Sequence, residues 1–585
     1  YTGVINSVSL KEITQGSDFD FTRGTTGTRI NEEGYIEDVP YNLLQQSQTF
    51  GTYWSNTNSS ESLDTSVLAP DGTATAWKLQ ANAGTHFSFI TQTLTMSGQI
   101  SFSVFLKKGT ATTASMFLTE GGNLGLTANL ENGTITSVTG SNMVGTVESA
   151  GNGWYRFEIK HTSGDDLSNS VRIGVEGGSL GSVTYAGTEN IYIWGAQITK
   201  GGIKNYLPTT DRLNLPRLNY PVYGGCPSLL VEPQRQNLIT YSQDFSQWSK
   251  TGTTSVSSND NISPEGIQNA STISGLTGSG GNDLLFNTGI NPASKTYSFS
   301  VYLKGTGTLR LHLSNNVDNA ASKIVTLTSS WIRYELIHTF NSTSSSLSAL
   351  LDDNGATATE YNIYGAQLEE GGYPTSLIHT SGSTVTRNED KALYAGLGTT
   401  DTFNDSEGVL FIETEALVNN NDPRIISINA GNNSNRVTVG YPSSAASTIS
   451  GYLQSTAGGG ANMTITGVDT TQKHKVAIKY KLNDASLFID GVKRAVDPSV
   501  AMPVGLKELD FSNGVGVGVA EYRGNLNAIA VYKTALTDTE LANLTSYNNH
   551  DLFIPYRSRM QMISADQELQ CTEHDITRFL WNQDY

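Results

Sequence analysis

Apolar and polar residues alternate at a period of two along most of this chain, in short runs broken by Gly, Asn, Asp and Pro. Ser101-Phe-Ser-Val-Phe-Leu-Lys107, Ser298-Phe-Ser-Val-Tyr-Leu-Lys304 and His474-Lys-Val-Ala-Ile-Lys-Tyr480 keep the alternation strictly. Each predicts a strand with one face on a core. Ser486-Leu-Phe-Ile-Asp-Gly-Val492 turns at Asp490-Gly491, a hairpin signal. The helical period is rare. Thr537-Asp-Thr-Glu540 before Leu541 and Leu544 reads as a capping box opening a short helix. Thr572 and Asp575 could open a last one, with Ile576, Phe579 and Leu580 on one face.

The pattern also repeats. Tyr192-Ile-Trp-Gly-Ala-Gln197, closed by Gly201-Gly202, returns as Asn362-Ile-Tyr-Gly-Ala-Gln367, closed by Gly371-Gly372. Asn42, Ser47, Phe50 and Trp54 are answered in order by Asn237, Ser242, Phe245 and Trp248. Trp154-Tyr-Arg-Phe-Glu158 is answered by Trp331-Ile-Arg-Tyr-Glu335. The order survives while the loops differ, which predicts a duplicated β-sandwich whose last strand ends in Gly-Ala-Gln.

The expected fold is all-β: three tandem antiparallel sandwiches, jelly-roll or lectin-like, with a short, partly helical C-terminal tail. The organisation reads as a lead segment (1–40), a first sandwich (41–211), a Pro/Gly-rich connector (212–236), a second sandwich (237–388), a third sandwich (389–547) and a tail (548–585). Arg-Asn phrases recur at the seams, at Arg29, Arg212 and Arg387. A five-donor guanidinium suits an inter-domain hydrogen-bond clamp better than catalysis there.

Composition narrows function by exclusion. Charged residues are 15%, against about 25% in an ordinary soluble protein, so Ser, Thr, Asn and Gln must cover the surface. A net charge of -18 opposes a nucleic-acid grip. The two cysteines, Cys226 and Cys571, offer neither a disulfide framework nor metal-ligand spacing. No apolar run approaches a membrane span, and no signal-type segment opens the chain.

The phrase from Gly365 to Arg387, and Gly225-Cys-Pro-Ser-Leu-Leu-Val-Glu-Pro-Gln-Arg-Gln-Asn-Leu-Ile239, resemble a module of tailed-bacteriophage structural proteins. There such segments frame carbohydrate-binding-module-like jelly rolls in fibres and appendages. Leu487-Phe-Ile-Asp-Gly491 and Val531 to Leu541 resemble a laminin-G/concanavalin-A-like sandwich. The resemblance implies a non-enzymatic virion protein (head fibre, decoration or tail appendage) at the capsid or tail surface. Its implied partners are other virion proteins, copies of itself, as a trimer by analogy with phage fibres, and host surface glycans. The chain departs from a long fibre shaft in lacking collagen-like or heptad runs.

Catalytic chemistry finds little support. No nucleophile elbow, Walker loop or His-Glu-x-x-His motif is present. Glu413 and Glu415, two apart on a strand, would share a face as glycosidase carboxylates do, so a polysaccharide depolymerase is the alternative. A secreted bacterial sugar-binding protein is a second alternative. No cofactor is expected. Asp165-Asp166 and Asp352-Asp353 are the acidic turns that structural calcium would use, with plain solvated turns the simpler reading. Aromatics at matched places in both copies read as core, which leaves Trp77 as the sugar-platform candidate. In the tail, Ile576, Phe579, Leu580 and Trp581 are the expected docking residues.

Overall fold

The computed structural model describes residues 20–94, 99–118, 124–162, 170–176, 182–210, 215–221, 227–290, 292, 294–314, 321–340, 347–393, 403–442, 444–514 and 520–547, and two short strands, Arg559–Gln561 and Leu580–Asn582. Among these residues the protein is all-β apart from one 3-10 turn and one α-helix, and every strand pair within its sheets is antiparallel. No described helix is long and apolar enough to cross a membrane.

The first sandwich has two six-stranded sheets. One runs Met143–Gly151, Trp154–His161, Ile100–Lys108, Asn190–Lys200, Trp77–Ala81, Ser59–Leu63. The other runs Thr134–Thr139, Gly125–Asn129, Thr113–Phe117, Ser170–Val175, Phe89–Thr93, Ser55–Thr57. The second sandwich has two five-stranded sheets. Ser255–Ile262, Gln268–Ser274, Glu360–Glu370, Thr296–Gly305 and Ile332–Thr339 form one, and Ser249–Lys250, Asp283–Asn287, Ser348–Asp352, Thr308–Ser314 and Ala321–Thr326 the other. Strand for strand, the second repeats the first in order. What it lacks are the consecutive strands Thr134–Thr139 and Met143–Gly151, which add one edge strand to each sheet of the first. In both, alternate residues enter one apolar core: Phe102, Val104, Ile191 and Ile193 in the first, Phe299, Val301, Leu303 and Ile363 in the second.

The repeated Gly-Ala-Gln lies within the last strand rather than at its end. Each strand runs on past Gln, to Lys200 and Glu370. Gly195 and Gly365 take left-handed φ of 61° and 58° where the pairing register slips, so the glycine makes a bulge that bends a continuous strand.

The third sandwich packs a five-stranded sheet on a seven-stranded one. The larger sheet runs Arg217–Asn219, Ser228–Val231, Gly524–Tyr532, Glu407–Glu415, His474–Lys481, Ala485–Ile489, Val492–Asp497. Its first two strands come from the connector, which is therefore an edge of this sheet and more than a spacer. Asp490 and Gly491 both take left-handed φ at the hairpin turn, as a two-residue type I′ turn needs. The helix Asp538–Thr545 opens with the capping box of Thr537 and Glu540 and buries Leu541 on the outer face of the larger sheet.

The lead segment ties the parts together. Asp20–Thr22 pairs with Lys391–Leu393 at the entrance to the third sandwich. The hairpin Gly27–Ile30/Ile36–Val39 packs Ile36 against Ala270, Tyr364 and Leu377 of the second. In the tail, Arg559–Gln561 pairs with Leu580–Asn582. Leu580 and Trp581 thus belong to a strand, so the expected helix does not extend through Leu580. Ile576 and Phe579 lie outside the described residues.

Candidate functional site

The residues that repeat between the two copies turn out to build the same clasp twice. Asn42 donates to the carbonyls of Ala196 and Leu207 and accepts from Leu44 and Ile198. Asn237 donates to Ala366 and Ile378 and accepts from Ile239 and Leu368. Gln197 bridges Lys204, Asn205 and Leu207, as Gln367 bridges Thr375, Ser376 and Ile378. Each buried amide satisfies the backbone that leaves the sandwich after Gly-Gly, which would otherwise be an orphaned loop. Trp154 donates to the Leu68 carbonyl beneath Lys107, and Trp331 to that of Ile262 beneath Lys304. Trp54, Trp154, Trp194 and Trp248 are buried, whereas Trp331 is half-buried. The shared aromatics are structural.

The segments so clasped then meet in two buried ionic joints. In the larger, Arg23 of the lead, Arg217 and Glu232 of the connector, Arg387 at the end of the second sandwich and Asp390 just beyond it converge, with every side chain at most 4% exposed. Arg23 bonds Asp390 at 2.8 Å, and Arg217 bonds both Asp390 and Glu232, the latter at 2.8 Å. Arg387 bonds Glu232 at 2.6 Å and the Pro233 carbonyl at 2.7 Å. Further donors go to the carbonyls of Thr25, Val39 and Thr28 and to Ser376 Oγ, while Nε of Arg217 and of Arg387 is buried without a hydrogen-bond partner among the described residues. Three guanidiniums face two carboxylates, carbonyl oxygens accept from donors the carboxylates do not reach, and the buried Glu369 carboxylate adds its attraction on Arg387. Burial by itself would raise the Glu232 carboxyl; Arg387 and Arg217 overrule it and hold it at about 2. Burial, then Arg217 and Arg387, bring Arg23 down to about 10 against the pull of Asp390.

The smaller joint brings Asp38 of the lead hairpin and Lys200 of the first sandwich to Glu265 and His379 of the second. Lys200 Nζ lies 2.8 Å from Asp38 and 3.2 Å from Glu265. His379 lies 3.5 Å from Asp38 and 3.2 Å from Glu265. Asp38, Glu265 and His379 have the donor types and proximity of a metal site. Lys200 already supplies a cation among them, so the set is complete as an ion network. Burial presses the Lys200 ammonium toward neutrality, and Asp38 and Glu265 outweigh it and raise its pKa. Burial and Lys200 lower His379, and Glu265 and Asp38 outweigh both, so its pKa ends above the ordinary value.

The other candidates have quieter settings. Arg29 pairs with Glu37 at 2.8 Å, and Arg212 lies outside the described residues. Trp77 is half-buried, edge-on to Phe50 at 6.3 Å and packed on the first core. Asp165 and Asp166 lie outside the described residues. Asp352 accepts from Arg310 and from the Asn354 amide. Asp353 is buried and accepts from Thr277, Gly278 and Asn282, which hold it at about 2 although burial raises it. Glu413 and Glu415 do share the outer face of their strand, since Thr414 between them turns inward to Tyr522. Glu413 has Lys473 at 3.9 Å, and burial raises the Glu415 carboxyl with Lys473 opposing. Arg23, Arg217, Glu232 and Asp390 carry the larger joint, yet sequence reading singles out only Arg387 among its charges. The twin seam phrases were the available signal.

No protein-family model and no curated protein matches the chain. Among solved structures, the CBM40 module of a Ruminococcus gnavus IT-sialidase, bound to alpha2,3 sialyllactose, is 18% identical; the match covers 24% of this chain and 84% of that one, with a TM-score of 0.21. A CBM22 tandem from Paenibacillus barcinonensis Xyn10C is 12% identical over 56% of this chain and 98% of that one, at TM-score 0.18. Domains LG4-5 of the mouse laminin alpha1 chain are 8% identical over 57% and 97%, at TM-score 0.20. At these values no residue role passes from them to this chain.

Proposed function

We propose that this chain is a non-enzymatic structural protein of a tailed-phage virion, displaying three β-sandwiches at the capsid or tail surface for attachment to host glycans. One observation carries the reading. The phrases that resemble phage appendage proteins contain Glu232, Asn237, Gln367 and Arg387, and these residues clasp the second sandwich and lock it to the connector strands of the third rather than line a reaction centre. A low-charge surface on a locked frame suits passive display. The tail, from 548 on, would dock the body to another virion protein or to a sister copy. Locating the chain by cryo-electron microscopy on purified particles of its phage tests the reading. Density for the three-sandwich body at the capsid or tail surface supports it; an intact particle without the chain overturns it.

A glycan-cleaving activity is the second reading, favoured by Glu413 and Glu415 sharing one face with a raised Glu415 carboxyl. Reducing-end release from host polysaccharide, abolished by Glu415→Gln, would establish it in place of the first.

A further inference from the structure

Residues shared by the two copies build the fold, so a chemically distinct patch at corresponding sheets is not demanded by it. The outer face of the second sandwich carries such a patch. Leu309, Leu311 and Leu313 point into the core, as do Leu284, Ala349 and Leu351. Arg310, His312, Asp283, Leu285, Leu350 and Asp352 therefore face outward. Strand register sets them in rows: Asp283, Asp352 and Arg310 side by side, then Leu285, Leu350 and His312. At strand spacings near 4.8 Å and two-residue steps near 7 Å, the patch measures roughly 10 by 7 Å, the size of one or two pyranose rings. The first sandwich carries Phe89, Gly174 and Ser115, then Thr91, Arg172 and Phe117, in rows on its comparable face. That face has an arginine too, but Arg172 lies over the Phe89 ring at 4.5 Å and the two rows hold no carboxylate.

Asp352 is occupied in aiming Arg310. Its two oxygens take the Arg310 Nε–H at 2.7 and 2.9 Å, and His312 Nδ1 lies 3.5 Å away. This grip leaves both terminal amino groups of Arg310 without an acceptor among the described residues, on a side chain that is 25% exposed. Asp283, half-buried across the row, offers carboxylate oxygens at the other end. A donor fork and an acceptor, held on the two rigid strands that flank Ser348–Asp352, match a pair of neighbouring hydroxyls, and the two leucines match the apolar C–H face of a sugar ring. Two carboxylates beside one guanidinium disfavour an anionic ligand, and Arg310 already fills the place of a metal cation.

We infer that this face binds a neutral sugar, with Arg310 donating to one hydroxyl, Asp283 accepting from its neighbour, and Asp352 positioning Arg310. The inference deepens the glycan-attachment part of the proposed function and is independent of where the chain sits on a particle. Calorimetry of the full chain against gluco-, manno-, galacto- and xylo-oligosaccharides, with an oligouronate as the acidic arm, tests it. At least one neutral series binds, and Arg310→Gln and the near-isosteric Asp283→Asn each weaken it by about ten-fold or more, while Arg172→Gln in the first sandwich does not. Circular dichroism confirms that the variants fold, and His312 ring resonances of the wild-type chain shift on titration with the same sugar. No binding by any neutral series, unchanged affinity in both folded variants, or preference for the oligouronate overturns it. Particle location is untouched by any of these, so failure here and failure of the display reading are distinguishable.

Discussion

Glu232 is the residue on which the larger joint turns, since it meets Arg217, Arg387 and both donors of Ser376. Glu232→Ala leaves two buried guanidiniums short of a counter-charge and should cost about 3–5 kcal/mol in denaturant unfolding. Its carboxyl, and that of Glu265, fall from an ordinary 4.5 to about 2 in the fold. A depressed acid stabilises above its unfolded pKa, so this contribution is full above 4.5 and drains as pH falls toward 2. Acid titration of the melting temperature should show that loss, reduced in Glu232→Gln relative to its own neutral-pH value. His379 has the opposite sign. Its raised pKa gives stability that is full below 6.5 and is lost as pH rises through the folded value. His379→Gln should flatten the alkaline side of the stability profile; an unchanged slope would mean that the imidazole does not titrate with the joint.

At the scale of elements, the bulge glycines test the clasp. A Cβ at Gly365 would sit 3.0 Å from Leu377 at a φ of 58°, whereas one at Gly372 meets nothing within 4 Å. Gly365→Ala should cost about 1 kcal/mol or more, and Gly372→Ala close to nothing; equal effects would contradict the bulge account. Much of this layer was legible beforehand. Period-two runs, Asp490-Gly491, the Thr537 capping box and the repeated phrases mark strands, hairpin, helix and duplication, because each is set by neighbours in sequence. The joints were not legible. Arg23 and Asp390 stand far apart along the chain, and no local pattern says that a lead strand will pair beside Lys391. The connector was legible only in part. Its prolines predict an ordered, extended segment, but no local pattern says that Arg217–Asn219 and Ser228–Val231, which fall between them, extend a sheet of the third sandwich. Nor could alternation alone tell that Asp352 would orient Arg310 rather than face solvent, since the pairing of distant strands decides it.

Over the whole molecule, the lead and connector turn three separable sandwiches into one frame. The tail strand Arg559–Gln561 lies against Gly524–Tyr532 of the third sandwich, and the docking duty proposed for the tail is tested by a chain ending at 547: it should keep its melting transition but lose its place on the particle or its self-association, read by light scattering and particle occupancy. A truncated chain that still assembles at full occupancy would assign docking elsewhere. The most direct measurement of the frame itself is the distance distribution between spin labels on the first and third sandwiches, at exposed Ser137 and Lys493 after both native cysteines are replaced. A locked frame predicts one narrow distance in the otherwise native chain, broadened or split by Arg217→Met. A broad distribution without that substitution would contradict the claim that the buried joints hold the sandwiches as one body.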